Sequence, residues 1–301
     1  MTKNMDNLIS VIIPTYKRQE KLMRAVNTVL VQTHKNIEII IINDDLENNL
    51  SIEMFEHLND DRIKLVNNKR TKGANGARNT GILIAKGKYL AFLDDDDEWL
   101  INYLETQFNR LRITNDKVGL VYGGYLLEKN SKWIPYSYEK EGNLFTELII
   151  GKFSIGASSN IFIKREIINR IGLWDEDLLR QQDLEFLIRI FDGFDAVFNN
   201  NMVVKIYGHN EPNPIKAYDE REKFLNKISG QLLKLNEKKV KIFFSNHYRR
   251  QALYKIKNGD FKKAKMNWLK AFSYKKVSFN SFRKDIKLVL AVMNKLNSYF
   301  E

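Results

Sequence analysis

Four consecutive aspartates, Asp94 to Asp97, follow directly on an apolar run in KYLAFLDDDDEWL, and chemistry is more concentrated there than anywhere else in the sequence. Adjacent carboxylates at a strand end repel one another unless a cation or a donor-rich ligand sits among them. Cysteine is absent, so a bound metal has to be taken by oxygen or imidazole. Carboxylate oxygen suits Mg²⁺ and Mn²⁺, which accept phosphate oxygen as well, so an Asp-x-Asp at a strand end can hold a divalent metal that grips a diphosphate. The same residues would also serve to cap a helix beginning near Trp99, since Asp is favoured at helix N-termini.

Other polar groups fall where they can join this run. Pro14-Thr15-Tyr16 closes the first β-branched stretch and Asn43-Asp44-Asp45 the second, so three strand ends present polar groups to one sheet edge. Open α/β sheets bind ligands at that edge. In TKGANGARNTGILIAKGKY, Gly73 and Gly76 allow close backbone approach and Arg78 offers a cation for phosphate; taken alone, this is also an ordinary turn and helix start. Asp183, in RQQDLEFLIR, stands at the head of an amphipathic helix, where by itself it reads as an N-cap. His209, in VVKIYGHNEP, follows a strand pattern, and a lone histidine near a turn is more often incidental than a ligand.

The elements that must position these residues alternate. Strand patterns at 9–15, 37–42, 62–66, 88–94 and 118–127 are interleaved with helical ones in RQEKLMRAVNTVLVQT and SIEMFEHL and at 76–85 and about 98–113. A strand apolar on both faces, such as Ile39 to Ile42, predicts a parallel sheet covered by helices, hence a doubly wound α/β domain. Residues 128–158, with Trp133, Tyr136 and Tyr138, read as a loop-rich acceptor region leading into GASSN at 156–160. Past Pro212 and Pro214 the strand signals stop, and three or more amphipathic helices fill 216–301. There a Gly-Asp turn separates two helices like a single tetratricopeptide-type hairpin, with Phe261, Ala264, Trp268 and Phe272 spaced for one buried face.

The net charge of +12 is unevenly placed. Residues 215–301 hold 22 Lys/Arg against 7 Asp/Glu, while the rest holds 27 against 30. The basic character therefore belongs to the helical extension and favours an anionic partner. Nucleic acid is the disfavoured choice, because the acidic strand end would repel phosphate in the absence of metal. The apolar run Leu8 to Ile13 is short for a signal-peptide core, and no stretch approaches the roughly 18 to 20 apolar residues that span a bilayer. The expectation is a soluble or peripheral protein of the cytoplasm.

SVIIPTYKR, the EIIIINDD strand end, GARNTGILIAKGKYLAFLDDDDEW and IGLWDEDLLRQQDLEFLIR, in that order over about residues 8–210, together resemble glycosyltransferase family 2. The resemblance implies a GT-A type nucleotide-diphospho-sugar-binding fold, a mostly parallel, Rossmann-like sheet flanked by helices, over 1–214. Its nucleotide-binding half covers about 1–98 and its acceptor half about 99–214, with 215–301 as a basic α-helical extension. It implies an inverting, metal-dependent transferase using Mn²⁺ or Mg²⁺. The strand end Pro14, Thr15 and Tyr16 would line the nucleotide pocket, Asp44 would contact the base, commonly uracil, and Arg78 would lie near the nucleotide. Asp94 and Asp95 would approach ribose or diphosphate, Asp96 would bind the metal, and His209 would meet metal or donor phosphates. Asp183 would be the general base. Two departures stand out: Gln182 replaces the family's Glu before that Asp, and Asp45-Leu46 replaces the usual Gly-Ser after the second strand.

The expected reaction moves a sugar from a nucleotide diphosphate donor, a UDP-sugar, to the hydroxyl of a saccharide or lipid-linked saccharide in bacterial surface polysaccharide or glycolipid synthesis. The extension would dock on an anionic membrane surface at the inner face of the cell membrane. A nucleotide-sugar-binding protein without transfer, or a nucleotidyltransferase, would share the metal site. The GxxxxGK[ST] phosphate loop is absent from this sequence. Oligomeric state, donor sugar and linkage are not readable from it.

Overall fold

The computed structural model describes residues 5–47, 50–208 and 214–274; His209 and positions 275–301 lie outside the described residues. Two compact units divide the chain. The first runs to Phe145 and resumes at Phe153, and the second joins Thr146–Lys152 to the helices from Pro214 onward.

Among the described residues the first unit is a nine-stranded sheet of order β3-β2-β1-β4-β8-β6-β9-β5, with β7 added to β6. Its strands are β1 (Ile9–Thr15), β2 (Ile37–Asn43), β3 (Ile63–Asn67), β4 (Tyr89–Phe92), β5 (Glu98–Trp99), β6 (Val118–Lys129), β7 (Lys132–Tyr136), β8 (Phe162–Lys164) and β9 (Asp195–Ile206). The β3-β2-β1-β4 stretch and the β6-β9 pair are parallel, while β8, β5 and β7 join antiparallel. Every residue of β1 and β2 is buried, which is why each carries apolar residues on both faces, Val11 to Ile13 and Ile39 to Ile42, rather than alternating ones. Pro14 is tolerated inside β1 because β4 stops pairing at Ile12, leaving no ladder bond for its missing N–H.

Helices cover the sheet: α1 (Gln19–Leu30), α2 (Ala74–Ile84), α3 (Tyr103–Arg112), the short α5 (Ile168–Ile171) and α6 (Gln182–Gly193), while the short α4 (Phe145–Ile149) falls, but for its first residue, in the second unit. Leu22, Ala25, Val26 and Val29 of α1 form one core with Ile9, Val11, Ile13, Ile37, Ile39 and Ile41, the residues of one face of β1 and β2. SIEMFEHL, expected as a helix, forms a 3-10 segment over Ile52–Leu58. The stretch expected to be loop-rich holds the β6–β7 hairpin, turned at Asn130 and Ser131, both with positive φ.

The second unit contains α7 (Pro214–Lys227), α8 (Ser229–Leu232), α9 (Glu237–Lys257) and α10 (Phe261–Tyr274). The α9–α10 hairpin turns where the Gly-Asp pair predicted it, and Asp260 caps α10 by accepting the Lys263 N–H at 3.0 Å. Asn246 ties the Thr146–Lys152 segment to α9 through the Ile150 carbonyl at 3.0 Å. The expected buried face is corrected: Ala264 and Ala271 are buried, while Phe261 is 51% and Phe272 38% exposed. Small side chains turned inward let two helices close up, and the larger rings are left outside. No described helix is long and apolar enough to cross a membrane.

Candidate active site

Parallel strands place their carboxyl ends on one edge, so β1, β2 and β4 deliver Thr15, Asp44 and the acidic run to the same place. The aspartates form a turn, closed by the Asp97 N–H on the Asp94 carbonyl at 3.1 Å, and do not cap a helix. The helix expected from about Glu98 begins at Tyr103 instead. Trp99 decides this: it is buried, stacks on Tyr103 with ring centroids 4.1 Å apart, and donates Nε1 to the Ser159 carbonyl at 2.7 Å. Residues 98–99 are thereby drawn into a strand against Lys205 and Val204.

The four carboxylates have different surroundings. Asp94 accepts Arg78 Nη2 at 2.6 Å and the Ser158 hydroxyl at 2.8 and 2.9 Å. Asp95 accepts the Thr15 hydroxyl on Oδ2 at 2.8 Å and Arg18 Nη1 on Oδ1 at 3.1 Å. The same Arg18 nitrogen bonds the Asp96 carboxylate. Asp97 accepts the Ser159 hydroxyl at 2.6 Å and the Tyr207 N–H at 3.1 Å. Burial pushes the Asp95 pKa up to about 6, with Asp96 and Asp94 adding to the rise and Arg18 and Thr15 opposing it. Asp97 is raised well above the carboxylate range by burial and by Asp94 and Asp96.

Asp183 occupies the first turn of α6, behind Gln181, whose φ of 58° turns the chain sharply into the helix. It lies near enough to the Ser158 main chain for that N–H to favour its charged form, while the Ser158 hydroxyl bonds Asp94. Loss of hydration raises the Asp183 pKa to about 6; Arg78 and the Ser158 N–H pull it down and Asp94 pushes it up. Arg78 is buried and does not reach out toward a ligand. Nη1 and Nη2 donate to Asn75, Asp94 and Ser158, Nε is buried without a partner, and the guanidinium carbon lies 4.7 Å from the Trp174 ring centroid. Burial works against its charge, but Asp94, Asp183 and Asp95 hold it protonated above the usual range.

A cleft of about 310 Å³ is lined by Thr15, Lys17, Arg18, Asn43, Asp45 and Leu50, among others. Asp44, between the lining residues Asn43 and Asp45 in sequence, accepts Asn68 Nδ2 at 2.6 Å and the Gly73 N–H at 2.8 Å, one on each oxygen. Gly76 must be glycine, because a Cβ there would meet the Thr71 carbonyl oxygen at 1.8 Å. The Tyr16 ring is partly exposed, with the Lys72 amine 5.1 Å from its centroid.

Several residues that build this site lie within the quoted stretches but were not singled out there. Asn75 and Asn79, one turn apart on α2, bond the carbonyls of Asp175, Leu178 and Trp174 and so fix the loop before α6. Glu176 returns to Asn79 and to the Thr71 N–H. Trp174 stacks on Phe186 with centroids 4.0 Å apart. The signal available for them was spacing: two amides at i and i+4, and two serines ahead of a strand.

A family model described as Glycosyl transferase family 2 matches residues 10–172. The chain is 30% identical over 238 residues to an uncharacterized glycosyltransferase of Rickettsia bellii, covering 77% of this chain and 34% of that one. It is 38% identical over 126 residues to the UDP-Glc:alpha-D-GlcNAc-diphosphoundecaprenol beta-1,3-glucosyltransferase WfgD of Escherichia coli, covering 42% of this chain and 49% of WfgD. The matched part is thus half or less of each relative's length. Among solved structures, S. aureus TarS in complex with UDP-GlcNAc shares the fold, with a TM-score of 0.63 over 87% of this chain and 79% of that one at 15% identity.

Proposed function

The chain belongs to glycosyltransferase family 2, and from that premise we propose that it transfers a sugar, with inversion, from a UDP-sugar to an acceptor hydroxyl in bacterial surface glycan assembly. The observation that supports the reading is that buried Asp183 feels both the Arg78 guanidinium and the Asp94 carboxylate, which are bonded to each other at the acidic run. Asp183 takes the acceptor's proton as the hydroxyl oxygen bonds to the anomeric carbon. The bond from that carbon to the diphosphate oxygen breaks in the same step, and the nucleoside diphosphate leaves. A carboxylate whose pKa is near 6 is a stronger base than an ordinary one and still ionised at neutral pH.

A divalent metal fits the residues present. Oxygens of Asp95 and Asp96 already converge on one cationic nitrogen, and both are hard ligands suited to Mg²⁺ or Mn²⁺. No group of three or more His, Cys, Asp or Glu able to hold a metal occurs among the described residues, so the pair would leave coordination positions for diphosphate oxygen and water. Bound there, the metal would neutralise charge on the departing diphosphate. His209 is assigned to this site by its place in the sequence.

The acceptor we propose is a lipid-linked saccharide, the class named for WfgD. Its membrane would be met by the second unit, where α10 exposes Phe261, Met266, Leu269 and Phe272 among Lys262, Lys263, Lys265 and Lys270. Apolar rings among lysines suit the interface of an anionic bilayer.

The test is a thermal-shift panel of nucleotides and nucleotide sugars with and without Mn²⁺, since a ligand bound only to the native state raises the melting temperature. Metal-dependent stabilisation by one UDP-sugar, followed by product formation with lipid-linked acceptor, is the expected result. A folded protein that answers to no nucleotide would overturn the reading, stabilisation without product would mark a binding protein, and consumption of a nucleoside triphosphate a nucleotidyltransferase.

A further inference from the structure

Three arginines surround the acidic run, and they are held in different ways. Arg78 is sunk beneath Asp94, its side chain 4% exposed. Arg24 bonds the Asp96 carbonyl at 2.9 Å, lies 3.1 Å from Glu98 and covers the Tyr207 ring at 3.9 Å. Arg18 is 45% exposed, lines the cleft, and reaches Asp95 and Asp96 through a single nitrogen, Nη1. It stands between β1 and α1, at the N-cap position, where its backbone has not yet entered the helix and its side chain makes no capping bond.

Two features of this contact bear on what enters the cleft. The Arg18 nitrogen sits where the two carboxylates converge, the position a divalent ion bridging them would need, and two cations a few ångströms apart repel each other. The Asp95 carboxylate, in turn, does not depend on Arg18 for its orientation, because Thr15 holds its other oxygen at 2.8 Å. Arg18 can therefore depart and leave the Asp95 carboxylate in place. A diphosphate entering the same cleft supplies the guanidinium with a new anionic partner, and guanidinium pairs well with phosphate oxygen.

We propose that Arg18 is an internal counter-ion for Asp95 and Asp96 which a divalent cation must displace, and that donor diphosphate then receives it, so that metal and nucleotide each strengthen the other's binding. The proposal rests on the metal-site reading given above. Arg18 is a positioning residue in this scheme: it keeps the acidic pair neutralised while the site is without donor, and it makes metal a poor ligand until nucleotide arrives. The coupling is reciprocal, as linkage requires.

The experiment is Mn²⁺ binding to the full chain, followed by the loss of the free-ion EPR signal, without nucleotide and with saturating UDP. Wild type is compared with Arg18→Gln, which removes the charge, and Arg18→Lys, which keeps it; cooperative thermal melting confirms that each is folded. Arg18→Gln is expected to bind Mn²⁺ alone at least about five-fold more tightly than wild type and to lose a similar factor of the tightening that UDP brings, the low end of usual coupling factors. Arg18→Lys is expected to stay nearer to wild type. Equal or weaker Mn²⁺ binding by Arg18→Gln, in a protein whose Mn²⁺ binding is abolished by Asp96→Asn, overturns the role of Arg18 and leaves the metal site standing. Absence of Mn²⁺ binding in every form, with and without UDP, overturns both.

Discussion

Arg78 donates Nη2 to Asp94 at 2.6 Å from a buried position, and the same guanidinium is the main attractive charge felt by Asp183. One cation therefore serves both the first carboxylate of the acidic run and the proposed base. Replacing it by Arg78→Gln removes the influence that lowers the Asp183 pKa. The acid limb of the kcat/KM profile should move to higher pH, and the protein should lose about 3–5 kcal/mol of stability because Asp94 is left without its partner. A profile that stays where it was, measured on folded protein, would show that Arg78 has only a structural part.

Asp183→Asn should lower kcat by about 10²–10⁴ while UDP affinity stays within a few-fold, since the base acts on the acceptor proton. In wild type the working form is the deprotonated carboxylate. Activity should thus be level above about pH 6 and fall as pH drops below it, following the raised Asp183 pKa. Transfer by Asp183→Asn at the wild-type rate would remove the residue from the mechanism.

Much of this arrangement was legible before the structure. The Ile-rich β1 and β2 announced a sheet buried on both faces, and the polar residues closing each strand marked its functional edge. What the sequence hid was decided by contacts between distant residues. Asp-Asp-Asp-Asp-Glu looks like a helix cap, but burial of Trp99 makes the next residues a strand and delays the helix to Tyr103. Lys17-Arg18 reads as a solvated turn, and nothing local reveals that Arg18 meets carboxylates 77 and 78 positions away. On α10, spacing located an amphipathic helix but not which side of it packs, and alanines rather than aromatic rings turned inward. Arg78 was read as a cation offered to phosphate, yet it is buried, with Nη1 and Nη2 bonded to protein groups and Nε without a partner, which only the fold could tell.

Gly76→Ala should weaken nucleotide binding without touching a ligand. Its Cβ would lie 1.8 Å from the Thr71 carbonyl oxygen, a backbone atom, so the 71–73 loop has to shift. Gly73 in that loop donates its N–H to Asp44 at 2.8 Å. Overpacking of this kind costs about 1–3 kcal/mol, and loss of a hydrogen bond to a charged group about 1.5–3 kcal/mol. Calorimetric titration should show UDP affinity falling by roughly ten-fold or more on the second figure; unchanged affinity would separate the loop from the nucleotide site.

Glu38 offers the opposite case, a buried carboxylate far from the chemistry. It is the second residue of β2 and pairs in register with Ser10 near the start of β1, while the site lies at the strands' other end. Its Oε1 accepts the Ser10 hydroxyl at 2.6 Å and the Lys86 and Gly87 N–H groups at 2.6 and 3.2 Å, and its Oε2 accepts Lys64 Nζ at 2.7 Å. Burial would raise its pKa, but these donors together hold it below the usual 4.5. A carboxylate depressed in the folded state contributes stability that is complete above its unfolded pKa and is lost as pH falls through the folded one. Glu38→Gln should therefore cost about 3 kcal/mol at neutral pH, the low end for breaking a buried pair. The gap between its melting temperature and that of wild type should narrow as the pH is lowered below about 4.5. UDP affinity should be unchanged at neutral pH, and a variant that lost nucleotide binding without losing stability would place Glu38 in the site after all.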